Sequence, residues 1–196
     1  SVQAQAIRED NTYGGTRITL VARIGSARCA LQIDVGFGDA VTPGPQTVAY
    51  PTLLDDFQAP PLRVYPVYTV IAEKYQAMVM LGQANSRMKD FFDLAVIARR
   101  TELDGGTLAA AIAATFARRM TMLPTERPMA LTKEFSEDVA KLRQWQAFLN
   151  KNRIVAASLA ETIALLDDLL WPPTQLAAAN SHATATWRPD SLRWVR

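Results

Sequence analysis

Apolar residues in the first third of the chain recur at every second position. Over 17–24 (RITLVARI) and 28–35 (RCALQIDV) they alternate with polar ones, which is the period of a strand with one face to bury. Gly25-Ser26 lies between the two runs and is the length and composition of a tight hairpin turn. An antiparallel hairpin is therefore expected. Residues 36–46 are rich in Gly and Pro and read as a loop, and the short extended pieces 47–50 and 63–65 each adjoin a proline that limits pairing. The sheet is expected to end there. After Pro66 the period lengthens: Val67, Val70, Ile71, Tyr75, Met78, Val79 and Leu81 follow helical spacing, with Pro66 suited to a first helical position and Gly82 to a stop. A second helix is expected over 86–100, ending on Arg99-Arg100, where the helix dipole favours cations. Further helices are expected over 107–119, 131–149 and 154–170, the last stopped by Pro172-Pro173. The closing stretch ends in WRPDSLRWVR, and its two tryptophans call for a surface to dock on.

Composition narrows the chemistry. Hydrophobic residues are 49% and charged residues 20% of 196, so a folded chain is expected and disorder is excluded. A net charge of +2, from 21 Lys+Arg against 19 Asp+Glu, is too small to name a partner. One cysteine, Cys29, rules out an internal disulfide, and no secretory leader pattern opens the chain, so a cytoplasmic location is expected. No membrane span is expected: Asp167 and Asp168 interrupt the best candidate, 154–171, short of the roughly 18 apolar residues a span requires. The single histidine, His182, lies among small polar residues, a poor place for Ser-His-Asp hydrolysis or a His-rich metal site. Any catalysis should rest on carboxylates and lysines.

Three stretches concentrate such residues. In Asp34-Val-Gly-Phe-Gly-Asp39 an acid ends an otherwise apolar strand beside a Gly-rich loop. A carboxylate placed there can ligate Mg²⁺, or the hexapeptide can be an ordinary turn capped by Asp39. Lys74 falls on the helix face of Val70, Ala77 and Met78, so a charge sits beside the apolar stripe. It can grip a triphosphate, or it can lay its stem on the core and its head in water. Asp90 and Asp93 lie three apart near a helix start, which serves a site or simply complements the dipole.

Taken together, QIDVGFGD (residues 32–39), YPVYTVIAEKYQAMVMLG (65–82) and NSRMKDFFDL (85–94) resemble the nucleotidyltransferase AbiEii/AbiGii toxin family of type IV toxin-antitoxin and abortive-infection systems. The motif resemblance runs from about Tyr13 to Arg100. It implies an α+β fold with a DNA-polymerase-β-like nucleotidyltransferase core sheet over 1–100 and a mainly helical C-terminal region over 101–196. It also implies transfer of a nucleotide from an NTP to an acceptor such as tRNA, with Mg²⁺ as cofactor and a cognate antitoxin as partner. On the matching positions Asp34 would be a metal ligand, Lys74 the triphosphate lysine, Asp90 or Asp93 the acid of the last motif, and Arg87 and Lys89 phosphate contacts.

One departure qualifies this. The family's first motif, Gly-Gly/Ser followed by a strand with Asp-x-Asp, is not found. The next acids after Gly14-Gly15-Thr16 are Asp34 and Asp39, five apart and so on opposite faces of an extended strand. The expectation is of a chain that starts after that motif, with weak or no transferase activity as it stands. A protein kinase is excluded by the lack of a catalytic-loop His-Arg-Asp. The other class left open is a non-catalytic RNA-binding or protein-interaction module. Arg87, Lys89, Arg99 and Arg100 form one basic region, Arg118, Arg119, Arg127 and Lys133 a second, and a bare sheet edge would invite a partner chain.

Overall fold

Gly25 adopts φ +58°, the left-handed conformation that glycine takes without a Cβ penalty, and the hairpin closes around it. The computed structural model describes residues 2–7, 14–181 and 184–196; Tyr13 and His182 lie outside the described residues. The turn joins β2 (Gly15–Ile24) to β3 (Ala27–Gly36), in register from Ile24↔Ala27 to Gly15↔Gly36. A further strand, β1 (Val2–Ile7), pairs antiparallel along the other edge of β2. Its VQAQAI alternates, but alanine at two apolar positions makes the signal faint.

These strands form the unit Ser1–Asp39. The alternation sorts its side chains as expected: Ile18, Leu20, Ala22 and Ile24 face the same way as their partners Ile33, Leu31, Cys29 and Ala27. The expected burial of that face does not occur. β3 is exposed at every position but Val35, and β2 is at most half-buried beyond Gly15. The unit is a single layer, and a sheet face is buried only against a second one.

The second unit, Ala40–Arg196, holds the core. β4 (Gln46–Ala49) and β5 (Pro61–Val64) form a separate two-stranded antiparallel ribbon. α1 (Val67–Leu81) starts one residue later than Pro66, which is its N-cap, and stops at Gly82 with φ +47°. The Thr69 hydroxyl ties its first turn to Thr42, donating to the carbonyl and accepting from the N–H, both at 3.0 Å. α2 (Met88–Arg100) follows a short turn, and α3 (Gly105–Arg118) is capped by Asp104, which accepts from the Thr107 amide at 2.7 Å.

Two expected helices are corrected. The stretch 131–149 divides into α4 (Lys133–Glu137) and α5 (Val139–Asn152), because Asp138 is extended and its carboxylate caps α5 by accepting from the Lys141 amide at 2.9 Å. An Asp side chain offers the backbone this alternative to continuing a helix. The last helix, α6 (Leu159–Ala178), opens on a Ser158/Glu161 capping box and runs through Pro172-Pro173 instead of stopping before them. Pro172 lacks the N–H that would bond the carbonyl of Asp168. That carbonyl accepts from the Trp194 indole instead, at 3.0 Å.

Trp194 comes from the closing segment, in which β7 (Thr186–Arg188) and β8 (Arg193–Val195) join β6 (Leu103–Asp104) in a small antiparallel sheet. Trp187 is fully buried and donates to the Ala98 carbonyl at 2.8 Å, one of the last-turn groups of α2 that has no partner within its own helix. The docking expected of the two tryptophans is thus found on α2 and α6. α1 packs on α3, and α6 packs on both α2 and α3, with Ile71, Tyr75, Phe91, Phe116 and Leu166 among the fully buried residues. The fold is α+β. Among the described residues no helix is long and apolar enough to cross a membrane.

Candidate functional site

α1 and α2 meet at a charged cluster beside the core. Tyr75, Met78 and Ile71 of α1 are buried, and their helical neighbour Lys74 is left at the margin with its side chain 21% exposed. Across from it, Phe91, Leu94 and Ala98 bury the inner face of α2, which leaves Asp90 and Asp93 at the same margin. Lys74 Nζ donates to Asp90 Oδ1 at 2.5 Å and to Asp93 Oδ2 at 2.8 Å. Lys89 Nζ adds a third contact, to Asp93 Oδ2 at 2.5 Å. The two acids share one helix face, as their spacing predicts. The N-cap of α2 is Arg87, without a side-chain cap, and Asp90 lies in the first turn of the helix.

The electrostatics follow from this geometry. Burial alone would lower the Lys74 pKa, but the hydrogen bonds to Asp90 and Asp93 outweigh it, and the ammonium is held above its ordinary 10.5. Burial would raise the Asp93 pKa, and the bonds from Lys74 and Lys89 instead hold it below 3.8. Lys74 is a fixed, permanently charged donor at neutral pH. An ammonium has three N–H groups; the two aspartates take two, which leaves one for an incoming anion. The Arg87 guanidinium is exposed and makes no ion pair with any described residue, and the Lys89 side chain is 71% exposed.

The turn that delivers these residues is locked from behind. Asn85 is fully buried; its Oδ1 accepts from the Arg87 amide at 2.9 Å, and its carbonyl accepts from Lys141 Nζ at 2.9 Å. Lys141 is only 4% exposed and lies over the Phe135 ring at 5.2 Å. Sequence reasoning gave Asn85 no role beyond opening the NSRMKDFFDL motif and overlooked Lys141. The signal was there for Lys141: it shares a helix face with Trp145 and Leu149, the other two buried residues of α5, and a charge on an apolar stripe needs a partner.

Asp34 is placed differently. It sits at the end of β3 in the other unit, opposite Arg17, whose Nε and Nη2 reach its two oxygens at 2.7 and 2.8 Å. Gln32 Nε2 also donates to it at 3.3 Å. Both carboxylate oxygens thus already serve a guanidinium, and among the described residues no three His, Cys, Asp or Glu side chains group closely enough to hold a metal ion.

The second basic region is largely occupied. Arg119 lies 3.5 Å from Glu73 and donates to Gln76 at 3.0 Å, Arg127 pairs with Asp167 at 2.9 Å, and Lys133 pairs with Glu137 at 3.4 Å. Two pockets flank the C-terminal half of α6, one of about 500 Å³ against Pro172, Leu176 and Trp194, the other of about 270 Å³ beside Trp171. None of the expected site residues lines either.

No curated protein and no solved structure matches the chain. A family model does, over residues 1–165, and its description is nucleotidyl transferase AbiEii toxin, type IV TA system. That span contains β1 to β5, the whole Lys74 cluster and most of the helical core. The chain belongs to the AbiEii family of nucleotidyl transferase toxins of type IV toxin-antitoxin systems.

Proposed function

We propose that the Lys74 cluster is the phosphate-binding part of a nucleotidyl transfer site, with an NTP as substrate and an acceptor such as tRNA. The observation that carries this reading is the ammonium of Lys74 held between Asp90 and Asp93. The acids fix the lysine and keep it charged, and its remaining N–H meets a phosphate oxygen. Lys89, which shares Asp93 with it, adds a second ammonium, and Arg87, exposed at the N-cap of α2, adds charge at the same helix end. In the transfer itself an acceptor hydroxyl attacks the α-phosphorus, the bond to the bridging oxygen breaks and pyrophosphate leaves. Fixed cations stabilise the charge that develops on the departing oxygens without reorganising. Asp90 and Asp93 position the lysine. The Mg²⁺ expected for this chemistry needs carboxylates besides Asp34, which is engaged by Arg17. Toxin-antitoxin membership implies an antitoxin partner.

Isothermal calorimetry with each ribonucleoside triphosphate tests the reading, with and without Mg²⁺, on the parent and on Lys74→Met. A charge-assisted hydrogen bond contributes about 1.5–3 kcal/mol, so the variant should bind roughly ten- to a hundredfold more weakly. Asp34→Ala should leave Mg²⁺-free binding unchanged. A folded parent that binds no triphosphate, or a Lys74→Met variant that binds as tightly as the parent, would sink the assignment.

A further inference from the structure

Lys141 lies outside every motif on which the family resemblance rests, yet its ammonium is buried and no carboxylate among the described residues pairs with it. It donates to the Asn85 carbonyl at 2.9 Å and to Gln144 Oε1 at 3.4 Å, and it lies over the Phe135 ring, which stacks on Phe91 of α2 with centroids 5.4 Å apart. A buried cation held only by neutral groups costs stability that an apolar side chain of the same length would not. What it grips is the turn that opens α2.

That turn needs a hold from outside. A helix N-cap is ordinarily extended, with a side-chain oxygen that accepts from an amide of the first turn. The N-cap of α2, Arg87, instead has φ −81° and ψ 65° and makes no such bond. The Met88 amide donates to the Ser86 carbonyl at 2.9 Å, so Arg87 is the centre of an inverse γ-turn. Its own amide donates to Asn85 Oδ1 at 2.9 Å. This fixes the Asn85 side chain and leaves its Nδ2 buried, with no acceptor among the described residues. The clamp on Arg87 therefore carries an unmet donor of its own, and the bond from Lys141 to the Asn85 carbonyl keeps it seated. We infer that Lys141 is a positioning residue: through the Asn85 clamp it sets where the Arg87 guanidinium stands for a triphosphate. This rests on the phosphate-site reading above, and adds to it a side chain of α5, 56 residues beyond the turn.

Two measurements on the full chain test this, and the first needs no ligand. Lys141→Met keeps an unbranched, adaptable side chain and removes the donor. Hydrogen exchange read amide by amide by NMR should find Arg87 quickened in the variant by roughly tenfold relative to the amides of α3, the ratio that one lost hydrogen bond gives. Asn85→Ala removes the Oδ1 acceptor instead; it should quicken the same amide, and Lys141→Met should add little to it. The second measurement is a double-variant cycle in triphosphate binding, read by calorimetry. Arg87→Ala should weaken binding roughly fivefold in the parent and hardly at all in Lys141→Met, because there the guanidinium is already displaced. Lys74→Met should keep its full effect in both backgrounds. Arg87 exchange that is unchanged in Lys141→Met, or that quickens by the same factor as α3, overturns the inference; the second result would mean that Lys141 serves global stability alone. An Arg87→Ala loss of equal size in both backgrounds overturns the link from Lys141 to the site. A parent that binds no triphosphate while its Arg87 amide responds to Lys141→Met overturns the phosphate-site reading and leaves the clamp standing.

Discussion

Lys74, Asp90, Asp93 and Lys89 form an alternating chain of two cations and two anions at the margin of the core, and their pH response follows from which state the fold favours. The Asp93 pKa is held below 3.8, so its carboxylate contributes stability that is present above pH 3.8 and lost as pH falls through the lower folded value. Lys74 is held above 10.5; its contribution is present below pH 10.5 and lost as pH rises past it. Asp93→Asn should cost about 1–2 kcal/mol at neutral pH, the range of a partly exposed charge-assisted contact. Urea unfolding at pH 7 and at pH 3 measures this. The gap between parent and variant should narrow at pH 3, and an equal gap at both would show that ionisation of Asp93 plays no part. At this scale the sequence was informative wherever a charge broke an apolar stripe. Lys74 stood out because Val70 and Met78 flank it on the helix face. Lys141 breaks the Trp145 and Leu149 stripe in the same way and went unread, because its partner is the carbonyl of Asn85, which no sequence pattern announces. Asp34 was legible as an acid at a strand end, but the Arg17 across the ladder depends on register.

At the scale of elements, the strand pair, α1 and α2 were readable from period and punctuation alone. The failures were local competitions. Asp138 divides an expected helix because its side chain caps better than it continues. Pro172 fails to end α6 because the carbonyl it strands is taken up by Trp194, twenty-six residues on, a long-range donor that punctuation rules do not see. This makes a coupled prediction. Trp194→Phe keeps a ring beside Trp187, now 5.5 Å away, but removes the donor, and should cost about 1–2 kcal/mol for the unpaired carbonyl. Pro172→Ala restores the helical N–H to that carbonyl, so in its background the Trp194→Phe cost should fall towards zero. Thermal or urea denaturation of the four proteins in the cycle gives the coupling; additive costs would mean that the indole bond does not stand in for the missing amide.

At the scale of the whole molecule the hydrophobic residues are divided unequally. Among the described residues every fully or nearly buried hydrophobic side chain lies between Ile71 and Trp187, in the unit Ala40–Arg196, while Leu31, Ile33 and Ile24 of the other unit are 45%, 51% and 85% exposed. The alternation that defined the hairpin could not reveal this, since it states which face is apolar and not whether anything covers it. Burial contributes about 25 cal/mol per Å² of apolar surface, so the three-stranded sheet has little of the term that resists opening. Its protection against hydrogen exchange comes from ladder bonds alone, and such regions open at free energies well below the global value. Exchange followed by mass spectrometry at low protein concentration should find β1 to β3 fully exchanged while α1, α3 and α6 remain protected. Trp194→Phe should speed exchange in α2 and α6 and leave β2 unchanged. If β2 instead slows and quickens together with α1, the sheet shares the helical core's cooperative unit.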